Sequence, residues 1–512
     1  MATRPASRPI PSPTAPLYRW EVGPTLPPNE EGLAIALRGD GYRIGIDAAT
    51  GVVRVAAVGD SDGRVLASAT SPFDVFSDGS RREVDFMAVE RAVRSALAEV
   101  AEAVPEGSRA ISVGIAATAS TVAIVDPSDG EPRGLGLMWA DHRATREAAA
   151  IRDAGHPNLE RMLGHVSPEW GIAKLAWLAR SDALDASSGI VVELADWLGF
   201  RASGSWAANA GTREWGWAGG DDGMLDAGLV EVAGGPASAV ERVIPDVLPT
   251  GSVLGVVQDV AGWPDAMHGT PVLVGGMDSY LAAVGMGAAA PGRLCLTVGS
   301  SSAAIGGLAC GDARGRMFGP LRNAVPGLTD GAWQGGQTTA GLAAAWAQSV
   351  LVHPDGDLEQ AAAHIPPGSR GVTFRETMLD RRNPEPRSPL RGAWTGLGLG
   401  HGPGDLYRAV LEGIAFGLAD ACGGLQPAEV IATGGMLRSD LFRTILADVL
   451  KRPIAGLHEE TSAAALGAAF ADVPERVPGL VRAAATTTPS GADYEEARDR
   501  YRRAELPDRD EA

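Results

Sequence analysis

The sequence is poor in cysteine and in positive charge, and it has no long apolar run. Its 512 residues include three cysteines, Cys295, Cys310 and Cys422, and this small, odd number indicates reduced, buried thiols rather than a disulfide framework. The formal net charge of −19 would repel a phosphate backbone, so a nucleic-acid partner is not expected. No transmembrane helix is expected, because glycine, proline or charge interrupts every apolar stretch before about 18 residues. These absences predict a cytoplasmic protein.

Several nucleotide-binding motifs are also missing. The pattern Gly-x-x-x-x-Gly-Lys-Ser/Thr does not occur, and the two lysines, Lys174 and Lys451, lie in helical contexts, which excludes a P-loop or a protein-kinase site. The turn Asp47–Gly51 does not supply the Gly-x-Gly-x-x-Gly of a dinucleotide-dependent oxidoreductase. The eight histidines show no metal-ligand spacing. Any phosphate site must therefore be a lysine-free turn.

The chain contains enough apolar residues to form folded domains, and a strand–turn–strand pattern occurs in both halves. Hydrophobic residues make up 45% of the sequence, and its length favours two domains. Near the start, strand Tyr42–Asp47, a turn and strand Val52–Val58 are followed by helical spacing from Phe86 to Val100. Strand Arg293–Val298 and a turn of small residues repeat the first motif in the second half. Two similar α/β halves suggest a nucleotide held between them.

Phosphoryl transfer needs backbone N–H groups for the phosphates, carboxylates for Mg²⁺ and a carboxylate to accept the proton of the acceptor hydroxyl. Candidates for the phosphate turns are Ile46–Gly51, which begins at the end of a strand, and Gly299–Ser302, which follows one. Asp278 follows a strand that ends in two glycines, where the reactive groups of α/β folds lie. The strand Val430–Thr433 ends at Gly434–Gly435, and Ser439 is placed to cap a helix from Asp440 to Leu450.

The order and spacing of these segments resemble the FGGY family of carbohydrate kinases over roughly residues 42–471. The resemblance implies an α/β fold of two actin-like (ribonuclease H-like) ATPase domains with a nucleotide cleft between them, using ATP and Mg²⁺. It identifies Asp278 as the catalytic base and assigns Asp47 and Asp278 to the metal. The residues it assigns to ATP are Asp47, Thr50, Gly51, Gly299, Ser300, Ser301, Gly341, Gly434, Gly435 and Ser439.

Other segments resemble the parts of the family that hold the sugar. Met138–Arg143 is similar to the segment that contacts sugar hydroxyls, and Tyr407–Phe416 to the C-terminal signature helix. The resemblance is greatest to the ribulokinase-like branch, which implies a ketopentose such as ribulose or xylulose, or a related polyol, as substrate. The sugar contacts that it implies are Trp139, Asp141, His142 and Ser120, together with Asp278.

Three departures from the family pattern keep a second interpretation open. Ala49 and Val52 stand where the first phosphate turn normally has glycine and a hydroxyl residue, and Ala116 replaces an acidic residue. The loop Asp380–Pro386 replaces the usual Gly-x-Arg-x-Pro segment. A catalytically weak or inactive nucleotide- or sugar-binding regulator with the same fold is therefore the alternative to a kinase.

The predicted organisation has four parts: a Pro-rich, disordered leader over residues 1–40, an N-terminal domain over 41–287 that binds sugar and carries the base, a C-terminal domain over 288–485 that binds ATP, and a charged tail over 486–512. The expected partners are a small sugar and ATP, with homodimer formation left open.

Overall fold

The computed structural model describes residues 41–181, 183–184, 188–259, 262–352, 356–379, 381–387, 390–457, 462–481 and 483–504. The predicted leader, the last eight residues of the predicted tail and Asp380 lie outside these ranges. Within them, no helix is both long enough and apolar enough to cross a membrane. The three cysteines carry buried free thiols, as predicted. Burial raises the pKa of Cys310 to about 11 and that of Cys422 to about 12, which keeps both protonated at neutral pH.

The N-terminal half is built on a mixed seven-stranded sheet. Its strands are β1 (Tyr42–Ala49), β2 (Val52–Gly59), β3 (Val65–Pro72), β4 (Ala110–Ala117), β5 (Val253–Val256), β6 (Pro271–Leu273) and β7 (Gly276–Met277). Strands β1, β2 and β3 form the predicted antiparallel meander, and β1 also pairs in parallel with β4. The order is β5-β6-β4-β1-β2-β3, with β7 paired to β4.

The second half repeats this arrangement. Its strands are β8 (Arg293–Val298), β9 (Ser302–Gly307), β10 (Phe318–Leu321), β11 (Ala332–Gln337), β12 (Glu429–Thr433), β13 (Ile454–Leu457) and β14 (Ala483–Thr487), in the order β10-β11-β9-β8-β12-β13-β14. The antiparallel pair β8/β9 and the parallel pair β8/β12 correspond to β1/β2 and β1/β4. The predicted repeat of strand, small-residue turn and strand is confirmed, and both halves have the mixed sheet of an actin-like ATPase fold.

Smaller sheets shape the rest of the N-terminal half and one edge of the C-terminal half. A five-stranded sheet has the order Val75–Asp78, Arg81–Val84, Gly136–Leu137, Val122–Val125 and Ile190–Glu193. Two-residue strands Ala208–Asn209 and Val247–Leu248 pair with each other, as do Thr373–Arg375 and Ala393–Thr395. The segment Met138–Arg143, predicted to contact sugar, follows directly after the strand Gly136–Leu137 of the five-stranded sheet.

Helices cover both large sheets. Those the structure describes are α1 (Phe86–Ala103), α2 (Thr145–Asp153), α3 (Gly171–Arg180), α4 (Leu194–Ser203), α5 (Ala210–Gly216), α6 (Ala227–Val232), α7 (Asp278–Gly285), α8 (Gly341–Val350), α9 (Leu358–Ala363), α10 (Pro403–Ala421), α11 (Asp440–Leu450), α12 (Ala463–Ala469), α13 (Val477–Leu480) and α14 (Glu495–Arg503). The predictions of α1 from helical spacing and of α11 with its Ser439 cap are confirmed. The predicted signature helix lies within α10.

Helix α12, from late in the chain, packs against α7, β1 and β4 of the N-terminal half. Glycines allow this approach: a Cβ added to Gly45 or Gly114 would lie 1.8 Å from the carbonyl oxygen of Ala465 or Ala468. No side chain fits at such a distance, so the sheet and the helix are in direct backbone contact. This packing places Ser462, the residue before α12, at the end of β1.

The described part of the predicted charged tail belongs to the C-terminal half. Tyr501 on α14 is buried and donates a hydrogen bond to Glu376 at 2.8 Å. Arg498 donates to Asp420 on α10 at 2.7 Å. These contacts tie residues 495–503 to the second half, while the exact domain limits stay a prediction.

Candidate active site

Two carboxylates are placed by the strands on either side of β4. Asp47 on β1 lies opposite Ala116 of β4, and Met277 at the end of β7 lies opposite Ala117. Asp278 is the next residue and the first of α7. Because β1 and β7 flank the same strand, the end of β7 brings the Asp278 carboxyl group within electrostatic range of Asp47. The sequence predicted both residues for the same site.

The Asp278 carboxyl group holds its proton more tightly in the folded protein than an exposed aspartate does in water. Burial, together with the charge of Asp47, raises the pKa of Asp278 to about 7. The backbone N–H of Ser279, 2.6 Å from Oδ1, and the charge of Arg54 oppose this rise. A carboxyl group that ionises near neutral pH is a stronger proton acceptor than an exposed aspartate, and a general base needs that property.

One carboxylate oxygen of Asp47 accepts hydrogen bonds from the protein, and the other has no hydrogen-bond partner among the described residues. Oδ2 accepts hydrogen bonds from Ser462 Oγ at 2.6 Å and from Arg54 Nη1 at 3.2 Å. Oδ1 is buried and has no hydrogen-bond partner among the described residues. An unsatisfied buried carboxylate oxygen is costly unless a cation or another ligand completes its coordination.

The carboxylates of Asp47 and Asp278 are suited to a Mg²⁺ ion whose other ligands come from substrate phosphates and water. Mg²⁺ is usually bound by one or two carboxylates, with waters and substrate phosphates supplying the other ligands. Asp47 and Asp278 provide two carboxylates. In the part of the chain that the structure describes, no group of three or more His, Cys, Asp or Glu converges into an all-protein site.

In the C-terminal half, the turn Gly299–Ser301 joins β8 and β9 and contacts the start of α8. The carbonyl oxygen of Gly299 accepts from the N–H of Gly341, and that of Ser300 from Ala340, both at 2.9 Å. A Cβ added to Gly341 would lie 2.6 Å from the Gly299 carbonyl oxygen, so this approach requires glycine. The structure thus brings the predicted phosphate residues Gly299, Ser300 and Gly341 together.

The predicted adenosine turn lies beside them. Gly434 has φ +116°, and an added Cβ would lie 2.5 Å from the carbonyl oxygen of Val298, the residue before the phosphate turn. At Gly435 an added Cβ would meet no heavy atom within 4 Å. Ser439 caps α11 and also donates to Glu359 at 2.5 Å, so its hydroxyl group is engaged within the protein.

The other phosphate turn is a tight hairpin in the N-terminal half. Thr50 and Gly51 join β1 to β2, and Gly51 adopts φ +74°, in the left-handed region. Ala49 pairs with Val52 as the last pair of the ladder. Trp139 Nε1 donates to Thr50 Oγ1 at 3.0 Å, which connects the predicted sugar segment to the phosphate turn.

Two of the predicted sugar contacts are buried within the protein. Asp141 is buried; its Oδ2 accepts from the Arg82 N–H at 2.8 Å and its Oδ1 from the Arg143 N–H at 3.1 Å. Arg143 also forms an ion pair with Glu83 at 2.7 Å. The side chain of Ser120 is fully buried. The structure therefore shows Asp141 fixing the loop it lies in, and direct sugar contact by either residue stays a prediction.

His142 belongs to a group of ionisable residues that sequence reasoning did not assemble. Its Nε2 lies 3.4 Å from Oε1 of Glu169, and Oε2 of Glu169 lies 3.5 Å from Nη2 of Arg382. Glu169 comes from the N-terminal half and Arg382 from the C-terminal half, so the pair spans the two halves. Sequence reasoning assigned neither residue a role, and Arg382 stood out only within the loop Asp380–Pro386.

Lys174 was missed as well. It is buried in α3, and Nζ donates to the carbonyl oxygens of Ser120 and Met138, both at 2.6 Å. Burial lowers the pKa of Lys174 to about 8, although nearby carboxylates favour its charged form. The amine thereby joins the two segments that carry predicted sugar contacts. A single lysine within an apolar helix was the signal in the sequence, since this chain uses lysine only twice.

Comparison with known proteins agrees with this architecture. The N-terminal domain of the FGGY family of carbohydrate kinases matches residues 42–285, and its C-terminal domain matches residues 315–473. A ribulokinase of Mycolicibacterium smegmatis is 28% identical over 376 residues, which are 66% of this chain and 64% of that protein.

Solved structures show the same fold. A xylulose kinase from Rhodospirillum rubrum is 26% identical and superposes with a TM-score of 0.75 over 90% of this chain and 97% of its own. A gluconate kinase from Lactobacillus acidophilus, 20% identical, has a TM-score of 0.76 over 90% and 97% of the two chains and supports the fold alone. With both family domains matched in order, this chain belongs to the FGGY family of carbohydrate kinases.

Proposed function

We propose that this chain transfers the γ-phosphoryl group of ATP to a terminal hydroxyl group of a small open-chain sugar or polyol. The observation that carries the proposal is the pair Asp278 and Asp47, with a raised pKa on the first and an unpartnered buried oxygen on the second. A ketopentose or a related polyol is the acceptor class supported by the names of the ribulokinase and xylulose kinase relatives.

Asp278 acts as the general base in this proposal. Its carboxylate accepts the proton of the acceptor hydroxyl group, whose oxygen forms a bond to the γ-phosphorus while the bond to the bridging oxygen of ADP breaks. Because phosphoryl transfer has a loose transition state, the main task of Asp278 is to orient the hydroxyl group in line with the leaving oxygen. Its pKa of about 7 gives a substantial ionised fraction at neutral pH.

The remaining residues hold the nucleotide. Asp47 and Asp278 would bind Mg²⁺, which when bound neutralises negative charge on the phosphates. The backbone at Thr50, Gly51 and Gly299–Ser301 would donate to phosphate oxygens, as turns of small residues do in anion sites. The open space at Gly435 would accept the adenosine.

The departures at Ala49 and Val52 do not favour the inactive alternative. Both residues occupy ladder positions, where extended backbone accepts any side chain, and the left-handed position of the hairpin is already filled by Gly51. The retained Asp278 argues against a regulator that binds a nucleotide or a sugar, because binding without phosphoryl transfer needs no proton acceptor.

The proposal is tested by coupled ADP release over a panel of ketoses, polyols and sugar acids with Mg²⁺. We expect at least one acceptor to raise ADP release above the no-sugar rate, and Asp278→Asn to lower kcat by about 10³-fold or more. Asp312→Asn, at an exposed position, is the matched control. If no acceptor raises the rate above that of the Asp278 variant, the kinase function is wrong and the regulator is the remaining alternative.

A further inference from the structure

A buried side-chain pair joins the turn Gly299–Ser301 to the strand that leads into α8. Ser302 is the first residue of β9, directly after the turn, and it lies opposite Gln337 at the end of β11. The Ser302 hydroxyl group donates to Oε1 of Gln337 at 2.9 Å and accepts from the Gln337 N–H at 3.1 Å. Residues 338–341 then connect Gln337 to the glycine that contacts the turn. The pair therefore holds both sides of the proposed phosphate site.

The side-chain amide of Gln337 is also held by Glu376, the residue after the strand Thr373–Arg375. Nε2 of Gln337 donates to Oε1 of Glu376 and to the carbonyl oxygen of Ile414, both at 3.1 Å. The hydroxyl group of Thr339 donates to the carbonyl oxygen of Glu376. Glu376 thus contacts the segment before α8 through its side chain and its backbone, and it orients the amide that Ser302 bonds.

The last donor to Glu376 comes from the C-terminal end of the chain. The hydroxyl group of Tyr501 on α14 lies 2.8 Å from Oε2 and 2.9 Å from Oε1 of Glu376. Burial raises the pKa of Glu376, while the charge of Arg375 and the hydrogen bonds that the carboxyl group accepts oppose the rise. Tyr501 therefore stabilises the carboxylate that orients Gln337.

Ser302, Gln337, Glu376 and Tyr501 form a continuous hydrogen-bonded chain, which we call the turn network. Each of the four residues is no more than 6% exposed. A Cβ added to Gly417 of α10 would lie 2.2 Å from Oε1 of Glu376 and 2.3 Å from Nε2 of Gln337, so any other residue there would displace both groups. In a buried network no water replaces a lost partner, so the position of each member depends on the others.

The network connects the phosphate turn to a helix that the family match does not include. The match to the C-terminal family domain ends at residue 473, and α14 begins at Glu495. Tyr501 and Tyr494, the residue before α14, both pack on Phe416 of α10, with ring centroids 5.6 and 5.9 Å away. The hydroxyl group of Tyr494 accepts from Arg408 at 2.5 Å. Among the described residues Tyr494 has no hydrogen bond to the turn network, so the two tyrosines share an anchoring role and differ in this connection.

We propose that Tyr501 is a positioning residue for ATP: through Glu376 and Gln337 it holds the turn Gly299–Ser301 in the geometry that binds the phosphates. Helix α14 is then part of the support of the nucleotide site. This inference rests on the proposed kinase function and concerns its nucleotide. All members of the turn network lie in the C-terminal half, so loss of the Tyr501 hydroxyl group should affect ATP and leave the acceptor sugar unaffected.

The test compares two tyrosine variants of the full-length protein. Tyr501→Phe removes the hydroxyl group that reaches Glu376, and the control Tyr494→Phe removes a similarly buried one from the same segment. Calorimetric titration with the Mg²⁺ complex of β,γ-methylene ATP measures nucleotide affinity without an acceptor. We expect Tyr501→Phe to weaken this binding and to raise the KM for ATP about three- to tenfold, with the KM for the acceptor within about twofold of wild type. Tyr494→Phe should lower the melting temperature comparably and leave nucleotide affinity within about twofold of wild type.

A double variant tests whether the effect passes along the turn network. Ser302→Ala removes the hydroxyl group that joins Gln337 to the turn. Tyr501→Phe combined with Ser302→Ala should therefore bind the ATP analogue no more than about twofold more weakly than Ser302→Ala alone. Losses of affinity that multiply in the double variant would show that Tyr501 does not act through Gln337, and they would overturn the inference.

The failure of the inference is distinguishable from the failure of the proposed function. If Tyr501→Phe and Tyr494→Phe bind the analogue equally well, α14 only stabilises the fold and the inference is wrong, whether or not a sugar is phosphorylated. If wild type binds the analogue but no acceptor raises ADP release, the kinase function is wrong and the two variants still decide the inference. Should Tyr501→Phe not fold, amide hydrogen exchange of wild type decides: the analogue should slow exchange in residues 495–503, because coupling between sites is reciprocal, and unchanged exchange overturns the inference.

Discussion

Ser462 donates a hydrogen bond of 2.6 Å to Asp47, a residue 415 positions earlier in the chain. The same hydroxyl group accepts from the N–H of Ala464 at 3.1 Å and so caps α12. A segment from the end of the chain thus orients one carboxylate of the proposed metal pair. The other oxygen of Asp47, Oδ1, has no hydrogen-bond partner among the described residues and can bind a cation.

Replacing Ser462 tests this orientation. Ser462→Ala should raise the Mg²⁺ concentration that gives half-maximal ADP release about three- to tenfold, because Asp47 loses the donor that fixes Oδ2. The lost cap should also lower the free energy of unfolding by about 1 kcal/mol. Asp85→Ala removes the cap of α1 and is the control for stability alone. If both variants show the same Mg²⁺ dependence, Ser462 only caps α12 and does not orient Asp47 for the metal.

Alanine substitution of the two adjacent glycines in the adenosine turn should have different effects. Gly434→Ala places a Cβ 2.5 Å from the carbonyl oxygen of Val298, so the turn must shift and ATP affinity should fall at least about tenfold. Gly435→Ala meets no heavy atom within 4 Å and should leave the melting temperature near that of wild type. Nucleotide titration and thermal unfolding of both variants provide the measurement. Similar losses of ATP affinity and stability in the two variants would contradict the assignment of the close contact to Gly434.

The first phosphate turn offers a second matched pair. Ala49→Gly should change the KM for ATP less than about threefold, because Ala49 lies in the β1/β2 ladder and needs no glycine. Gly51→Ala forces a side chain into φ +74° and should cost about 1 kcal/mol of turn stability, raising the KM for ATP severalfold. Steady-state kinetics with ATP as the varied substrate checks both. A large gain of affinity in Ala49→Gly would show that the alanine does weaken the site.

The sequence predicts the two large sheets well, because each strand is specified by residues that are adjacent in the chain. Strands such as Tyr42–Ala49 and Arg293–Val298 are short apolar runs that end in turns of small residues, and such runs form strands wherever they pack. A helix from about Asp440 to Leu450 was predicted and is confirmed, since Ser439 is a cap next to apolar residues at helical spacing.

Long-range partners were not predictable in this way. The alanine-rich segment 463–469 gives no sign that it packs on β1, because its contact depends on glycines more than 300 residues away, such as Gly45. Asp141 resembled a ligand residue, yet whether its oxygens are taken by Arg82 depends on the register of a separate strand. Arg382 was visible only as a departure from a family pattern. Its position beside Glu169 arises from the packing of the two halves.

A buried carboxyl group outside the proposed site should control how stability depends on pH. Burial, together with the charge of Glu193, raises the pKa of Asp196 on α4 to about 8, although Arg213 and the N–H of Asn209 oppose the rise. In the unfolded chain an aspartate ionises near pH 4. Between about pH 4 and pH 8 the folded state therefore holds a proton that the unfolded state has released, so the free energy of unfolding falls as pH rises.

Asp196→Asn should remove this dependence. The amide retains an oxygen acceptor for the N–H of Asn209, which lies 3.1 Å from Oδ1, and it carries no titratable proton. We expect the variant to be about 1–3 kcal/mol more stable than wild type at pH 8 and nearly equal to it at pH 4.5. Denaturant unfolding at several pH values, with the exposed Asp312→Asn as control, measures the difference. Parallel stability curves for wild type and Asp196→Asn would mean that Asp196 is ionised in the folded protein and that Arg213 neutralises it.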